Sequence, residues 1–192
     1  ACGLEAAVLL WTGSRDDRIS LTQLNEVANS YPPRLSLMLT CYLIRRLIAL
    51  GRVDEASEKA ERIGLLATVV ESRAVTMTKI AYLDALIETT RIDILIATGR
   101  FTQAEQLIAE ESRRAKAAHR ASRLVGLALA SAQIALRCCQ PALAVRHITR
   151  AVSLSAPRGI VRPFNEQAET LAAVVADTKV AAWGFATHEE RR

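Results

Sequence analysis

Arg91-Ile-Asp-Ile-Leu-Ile-Ala-Thr-Gly-Arg-Phe-Thr-Gln-Ala-Glu-Gln-Leu-Ile108 reads as helix, tight turn, helix. Ile92, Leu95 and Ile96 fall on one helical face. Gly99 ends the first helix, because glycine alone takes the left-handed position after a helix without a steric penalty. Thr102 is placed to cap the next helix, with Glu105 at capping-box spacing. Ala104 and Ile108 open the apolar stripe of that second helix. The stretch therefore predicts an antiparallel αα-hairpin with a small residue at the crossing.

The pattern recurs. Leu43-Ile-Arg-Arg-Leu-Ile-Ala-Leu-Gly-Arg-Val-Asp-Glu-Ala56 places Gly51 48 positions before Gly99, with Ala56 for Ala104. A third copy follows 40 positions later, where Ala144, Ile148, Ala151 and Val152 keep the rhythm. There Cys139-Gln140 replaces Gly-Arg, and Pro141 stands where a helix can begin. The cysteine leaves open whether the third turn keeps a glycine-type geometry. Self-similarity at such a period predicts a helical repeat array, with units longer than the tetratricopeptide period of about 34.

Composition agrees. The chain has 192 residues, 51% hydrophobic and only 4% aromatic. A length of this order buries about 70% of the unfolded surface. Ala and Leu carry much of the apolar content and favour helix, which argues against a β-sandwich. The net charge of +5 is modest. Arg113, Arg114, Lys116, His119, Arg120 and Arg123 form the dense basic cluster. It reads as a solvated face near a helix end in preference to a phosphate-binding patch, since no aromatic residue is interleaved. Cys2, Cys41, Cys138 and Cys139 contain no Cys-x-x-Cys, and neighbours on a helix point about 100° apart. Reduced thiols and a cytoplasmic location are the expectation. No signal peptide is visible, and no run reaches the ~20 apolar residues of a membrane span.

Taken in order, Leu4 to Trp11 predicts a short helix, and Ser20-Leu-Thr-Gln23 a capping box opening another. Arg34 to Leu50 is the first long helix, and Asp54 is read as the cap of its partner. The expected hairpins span about 34–66, 77–118 and 121–154. A loop from Ser155 to Gly159 leads to a closing helix at 165–177. Residues 1–178 are thus read as one helical-repeat domain and 179–192 as a tail or linker. The fold class is all-α, a tetratricopeptide-like superhelix of antiparallel hairpins.

The Gly-Arg-x-x-x-Ala hairpins, together with Ala144-Val145-x-x-Ile148-x-x-Ala151-Val152-x-Leu154 and Ala156-Pro-Arg-Gly-Ile-Val-Arg-Pro-Phe164, resemble the helical repeats of MalT-like, LuxR-type transcriptional activators. The resemblance covers about residues 35 to 178. It implies a cytoplasmic regulator with an N-terminal nucleotide-binding module, a superhelical sensor and a C-terminal helix-turn-helix. This chain would be the sensor. No Gly-x-x-x-x-Gly-Lys-Ser/Thr phosphate loop is present and no helix-turn-helix follows Phe164. ATP and DNA are accordingly assigned to modules outside it, and no cofactor to the chain itself. The implied partners are a small-molecule inducer or a regulatory protein, other domains of the same regulator, and a second copy.

No catalytic constellation stands out. His119, His147 and His188 are far apart, and the adjacent carboxylates Asp16-Asp17 and Glu110-Glu111 read as surface pairs without the opposed environments that acid–base catalysis needs. The chain is read as no enzyme. Aligning the three turns puts Arg45, Asp93 and Gln133 at one equivalent position, six residues before each turn. Two readings stay open. One is a structural ladder that holds successive hairpins together. The other is a polar stripe lining a ligand groove, with Tyr42 and Arg137 at its edges. A free-standing tetratricopeptide-like scaffold binding a peptide is the alternative to a regulator's sensor.

Overall fold

The computed structural model describes residues 21–66, 81–168 and 171–172. These are all-α, with no strand among the described residues. The helices are α1 (Leu21–Ser30), α2 (Pro33–Ala49), α3 (Val53–Arg62), α4 (Ala81–Ala97), α5 (Phe101–Ala117), α6 (Ala121–Arg137), α7 (Pro141–Ser155) and the short α8 (Arg162–Asn165). The helix expected over Leu4 to Trp11, the Ser20 cap, the start of the helix expected from Met77, the end of the closing helix and the tail lie outside the described residues.

One local device ends most of these helices. Gly51 has φ +76 and Gly99 φ +75. In the first turn Gly51 N–H donates to Ile48 O at 3.0 Å and Arg52 N–H to Leu47 O at 2.9 Å. In the second, Gly99 N–H donates to Ile96 O at 3.2 Å and Arg100 N–H to Leu95 O at 2.8 Å. This paired closure satisfies two carbonyls that a helix end would otherwise orphan. The third turn keeps the same geometry without glycine. Cys139 has φ +56 and donates to Leu136 O, while Gln140 donates to Ala135 O at 2.8 Å. His119, with φ +52, closes α5 in the same way through Lys116 O and, one residue on, Ala115 O.

The closure explains where the next helix begins. Arg52, Arg120 and Gln140 each make the last bond of one helix and occupy the N-cap position of the next, none with a side-chain cap bond. Their carbonyls accept the first bond of the new helix, as Arg52 O does from Ala56 N–H at 3.1 Å. No separate capping residue fits into so short a turn. The expected caps are therefore displaced: Asp54 lies in the first turn of α3, and Thr102 in the first turn of α5. Asp54 and Glu55 still complement the positive end of α3 from there. Pro33 and Pro141 sit in first turns, where a missing N–H costs nothing.

The described chain falls into two compact units, one ending at Arg100 and the other beginning at Phe101. In the first unit α2 packs against α1, α3 and α4. Leu43, Ile44, Leu47, Ile87, Ile92 and Ile94 are fully buried in it, each contributing about 1.5–3 kcal/mol by leaving water. In the second, α6 packs against α5 and α7 around Val125, Leu129, Ala132, Ile148 and Ala151. Phe164 and Leu171 cover that core from the closing segment. The segment differs from the expected loop and helix. Ala156–Arg158 forms a 3-10 turn ended by Gly159, and α8 starts at Arg162 with Pro163 in its first turn. The three alanines of the repeat, Ala56, Ala104 and Ala144, have no exposed surface at all.

Candidate functional site

Arg45, Tyr42 and Asp93 come together in the first unit. Arg45 extends from α2 and its Nε donates to Asp93 Oδ2 on α4 at 2.8 Å. The two side chains are 8% and 15% exposed. One turn earlier on α2, the Cys41 thiol is hydrogen-bonded to Thr90 on α4. The two partners advance in the same sense along both helices, so α2 and α4 run parallel, as the first helices of successive hairpins do. The Thr90 hydroxyl itself donates to Leu86 O at 2.8 Å. Burial pushes the Cys41 thiol up to about 11, against smaller opposing effects of Thr90 and Arg45. Tyr42 is buried, and its hydroxyl is hydrogen-bonded to that of Tyr82, which is half exposed.

These three predicted residues thus form a polar seam inside the α2–α4 contact. Chemically the seam is a desolvated ion pair with a phenol at one end, suited to fixing the register of two helices. Gln133 belongs to the second unit, where its side-chain amide is hydrogen-bonded to Gln167 beyond α8. Arg137 is exposed in the last turn of α6.

The second unit holds a groove that the repeat register does not reveal. Helices α5 and α7 both pack on α6 but barely meet each other. The gap encloses about 480 Å³, within the usual range for small-molecule sites. Small side chains open it: Ala109 and Ser112 on α5, and Ala128, Ser131 and Ala135 on α6. Arg113, Lys116, His147 and Arg150 line it with Glu105. His147 is half-buried, and its imidazole is held below 6.5 by burial first and then by Arg150 and Arg146, with Glu105 opposing.

The basic cluster read as a solvated face therefore divides. Arg114 pairs with Glu110 and, at 2.9 Å, with Glu111. Arg123 reaches Glu111 Oε2 at 3.1 Å. Glu111 is buried and ties α5 to α6, so it is no ordinary surface carboxylate. Arg113 and Lys116 face the groove instead. Arg150, more than thirty positions on in the chain, joins them only through the fold, and no linear motif announces that.

No protein-family model matches the chain, and no curated protein or solved structure does. Among the described residues no group of His, Cys, Asp and Glu is placed to hold a metal ion, and no helix is long and apolar enough to cross a membrane.

Proposed function

We propose that this chain is the effector-sensing and protein-interaction part of a MalT-like, LuxR-type transcriptional regulator, built as a tetratricopeptide-like superhelix. The observation that carries the reading is the recurrence of one turn geometry at Gly51, Gly99 and Cys139, each followed five residues later by a fully buried alanine. That recurrence is what a repeat array requires, and the closing Pro-Arg-Gly segment after the third hairpin adds the family's particular ending. In this reading the module is cytoplasmic, holds no cofactor and performs no catalysis. An inducer or partner protein acts by favouring one of two conformations, which changes how the module engages the rest of the regulator or a second copy.

The test is the coding sequence on either side of these residues. A phosphate-binding loop upstream and a helix-turn-helix downstream in one open reading frame support the regulator. A reading frame with neither supports a free-standing scaffold that holds a peptide, which the same hairpins would also serve.

A further inference from the structure

We propose that the groove between α5, α6 and α7 is a binding site for a small amphipathic anion, a molecule with a carboxylate or phosphate head and a slender apolar body. The inference does not depend on the regulator reading, since it rests on the second unit alone.

The floor of the groove is one stripe of α6. Leu124, Leu127, Ser131, Ala135 and Cys138 recur at helical spacing along it, a span of about 21 Å at 1.5 Å per residue. The groove is therefore elongated. Its two ends differ, and the connections dictate how. The turns at His119 and Cys139 are tight, so α5 and α7 both run antiparallel to α6. The late residues of α5 and α7 are then level with the beginning of α6. Arg113 and Lys116 from one wall and Arg150 from the other line the same end of the groove as Leu124, Leu127 and Ala128. Glu105, the groove's carboxylate, lies farther along near His147. The remaining end is lined by Ile134, Ala135 and Leu143 together with Cys138 and Gln140.

Charge supplies the second half of the argument. Among the described residues Arg113, Lys116 and Arg150 form no ion pair, while Arg114 and Arg123 beside them take up Glu110 and Glu111. Three like charges on one end of a groove raise a positive potential there, and an anionic group bound among them is favoured by it. Arginine offers a planar fork that matches a carboxylate or phosphate. The small and aliphatic side chains beyond give an uncharged tail its place out of water. A cation at the same place would meet three like charges, and a wholly apolar molecule would leave the cationic end unused.

The test uses dodecanoate and dodecyl phosphate, each below its micelle concentration, with dodecanol and dodecylammonium as controls, titrated into the whole chain by calorimetry. At least one anion should bind, dodecylammonium should not, and added salt should weaken the binding. Which anion binds identifies the head. Arg113→Glu combined with Arg150→Glu should weaken binding at least tenfold. Arg34→Glu, exposed at the start of α2 in the first unit, should change it less than twofold. Circular dichroism and thermal midpoints establish that each variant is folded, and if the double reversal is not, Lys116→Glu takes its place with the same expected loss. Absence of binding by both anions overturns the proposal. So does dodecanol binding as tightly as the anions, or equal losses from the groove and control reversals.

Discussion

Arg45 and Asp93, 48 positions apart in the chain, meet at 2.8 Å across the α2–α4 contact with little of either side chain in water. Their register follows from the repeat: both stand six residues before a left-handed turn residue. A buried pair of this kind is costly to break, because removing one partner leaves a charge in a low-dielectric surrounding. Asp93→Ala should destabilise the chain by about 3–5 kcal/mol, read as a shift of the urea midpoint. Replacing both, as Arg45→Met with Asp93→Leu, should recover much of that loss. A single-variant midpoint equal to the parent's would mean that the seam contributes nothing to folding.

Helix ends give a pair of predictions with opposite signs. Gly99 has φ +75 and open space where a Cβ would stand, so Gly99→Ala meets only the backbone cost of the left-handed region, about 1–2 kcal/mol. Cys139 already bears that cost at φ +56. Cys139→Gly should stabilise by about 1 kcal/mol, and His119→Gly should behave alike. Denaturant midpoints that move the same way for Gly99→Ala and Cys139→Gly would show that the turns are not equivalent in solution.

Ala104 has no exposed surface. Ala104→Leu should overpack its surroundings and cost about 1–3 kcal/mol. A thermal midpoint indistinguishable from the parent's would place the residue against slack space.

Much of the first unit's seam is legible in the sequence, and the reason is local. Gly51 and Gly99 announce their turns because glycine alone tolerates that backbone freely, and Ala56 and Ala104 stand at constant distance from them. Arg45 and Asp93 inherit their alignment from these markers. The stopping role of His119 was not legible, since its left-handed backbone is stabilised by bonds to Lys116 and Ala115 that any residue could make. Asp54 and Thr102 misled for a related reason: the shared residue between two helices leaves no place for a side-chain cap. Gln133 found Gln167 because the closing segment has no counterpart in the other hairpins. The groove escaped entirely. Arg113 and Arg150 lie on different helices, and only the separation of α5 from α7 turns them toward one space.

Cys41 links stability to alkaline pH. Its thiol ordinarily ionises near 9.0 and in the fold only near 11. An unfolded chain therefore loses this proton across a range where the folded chain keeps it. The sign follows: the contribution is complete below about pH 9 and is lost as pH rises towards 11, by about 2–3 kcal/mol in all. Urea midpoints of the parent and Cys41→Ala, compared from pH 8 to 11, should converge or cross over that window. Parallel curves would contradict the linkage.

Cys138 and Cys139 are both exposed, and Cys138 lines one end of the groove floor. Thiol reagents should therefore reach this turn long before they reach Cys41. The chain carries its own attachment point for a spectroscopic reporter, bordering the space where occupancy would be sensed. Cys139→Gly makes that point single among the described exposed thiols while relieving the backbone beside it. A fluorophore on Cys138 in that background would turn the groove into an optical readout of whatever enters it.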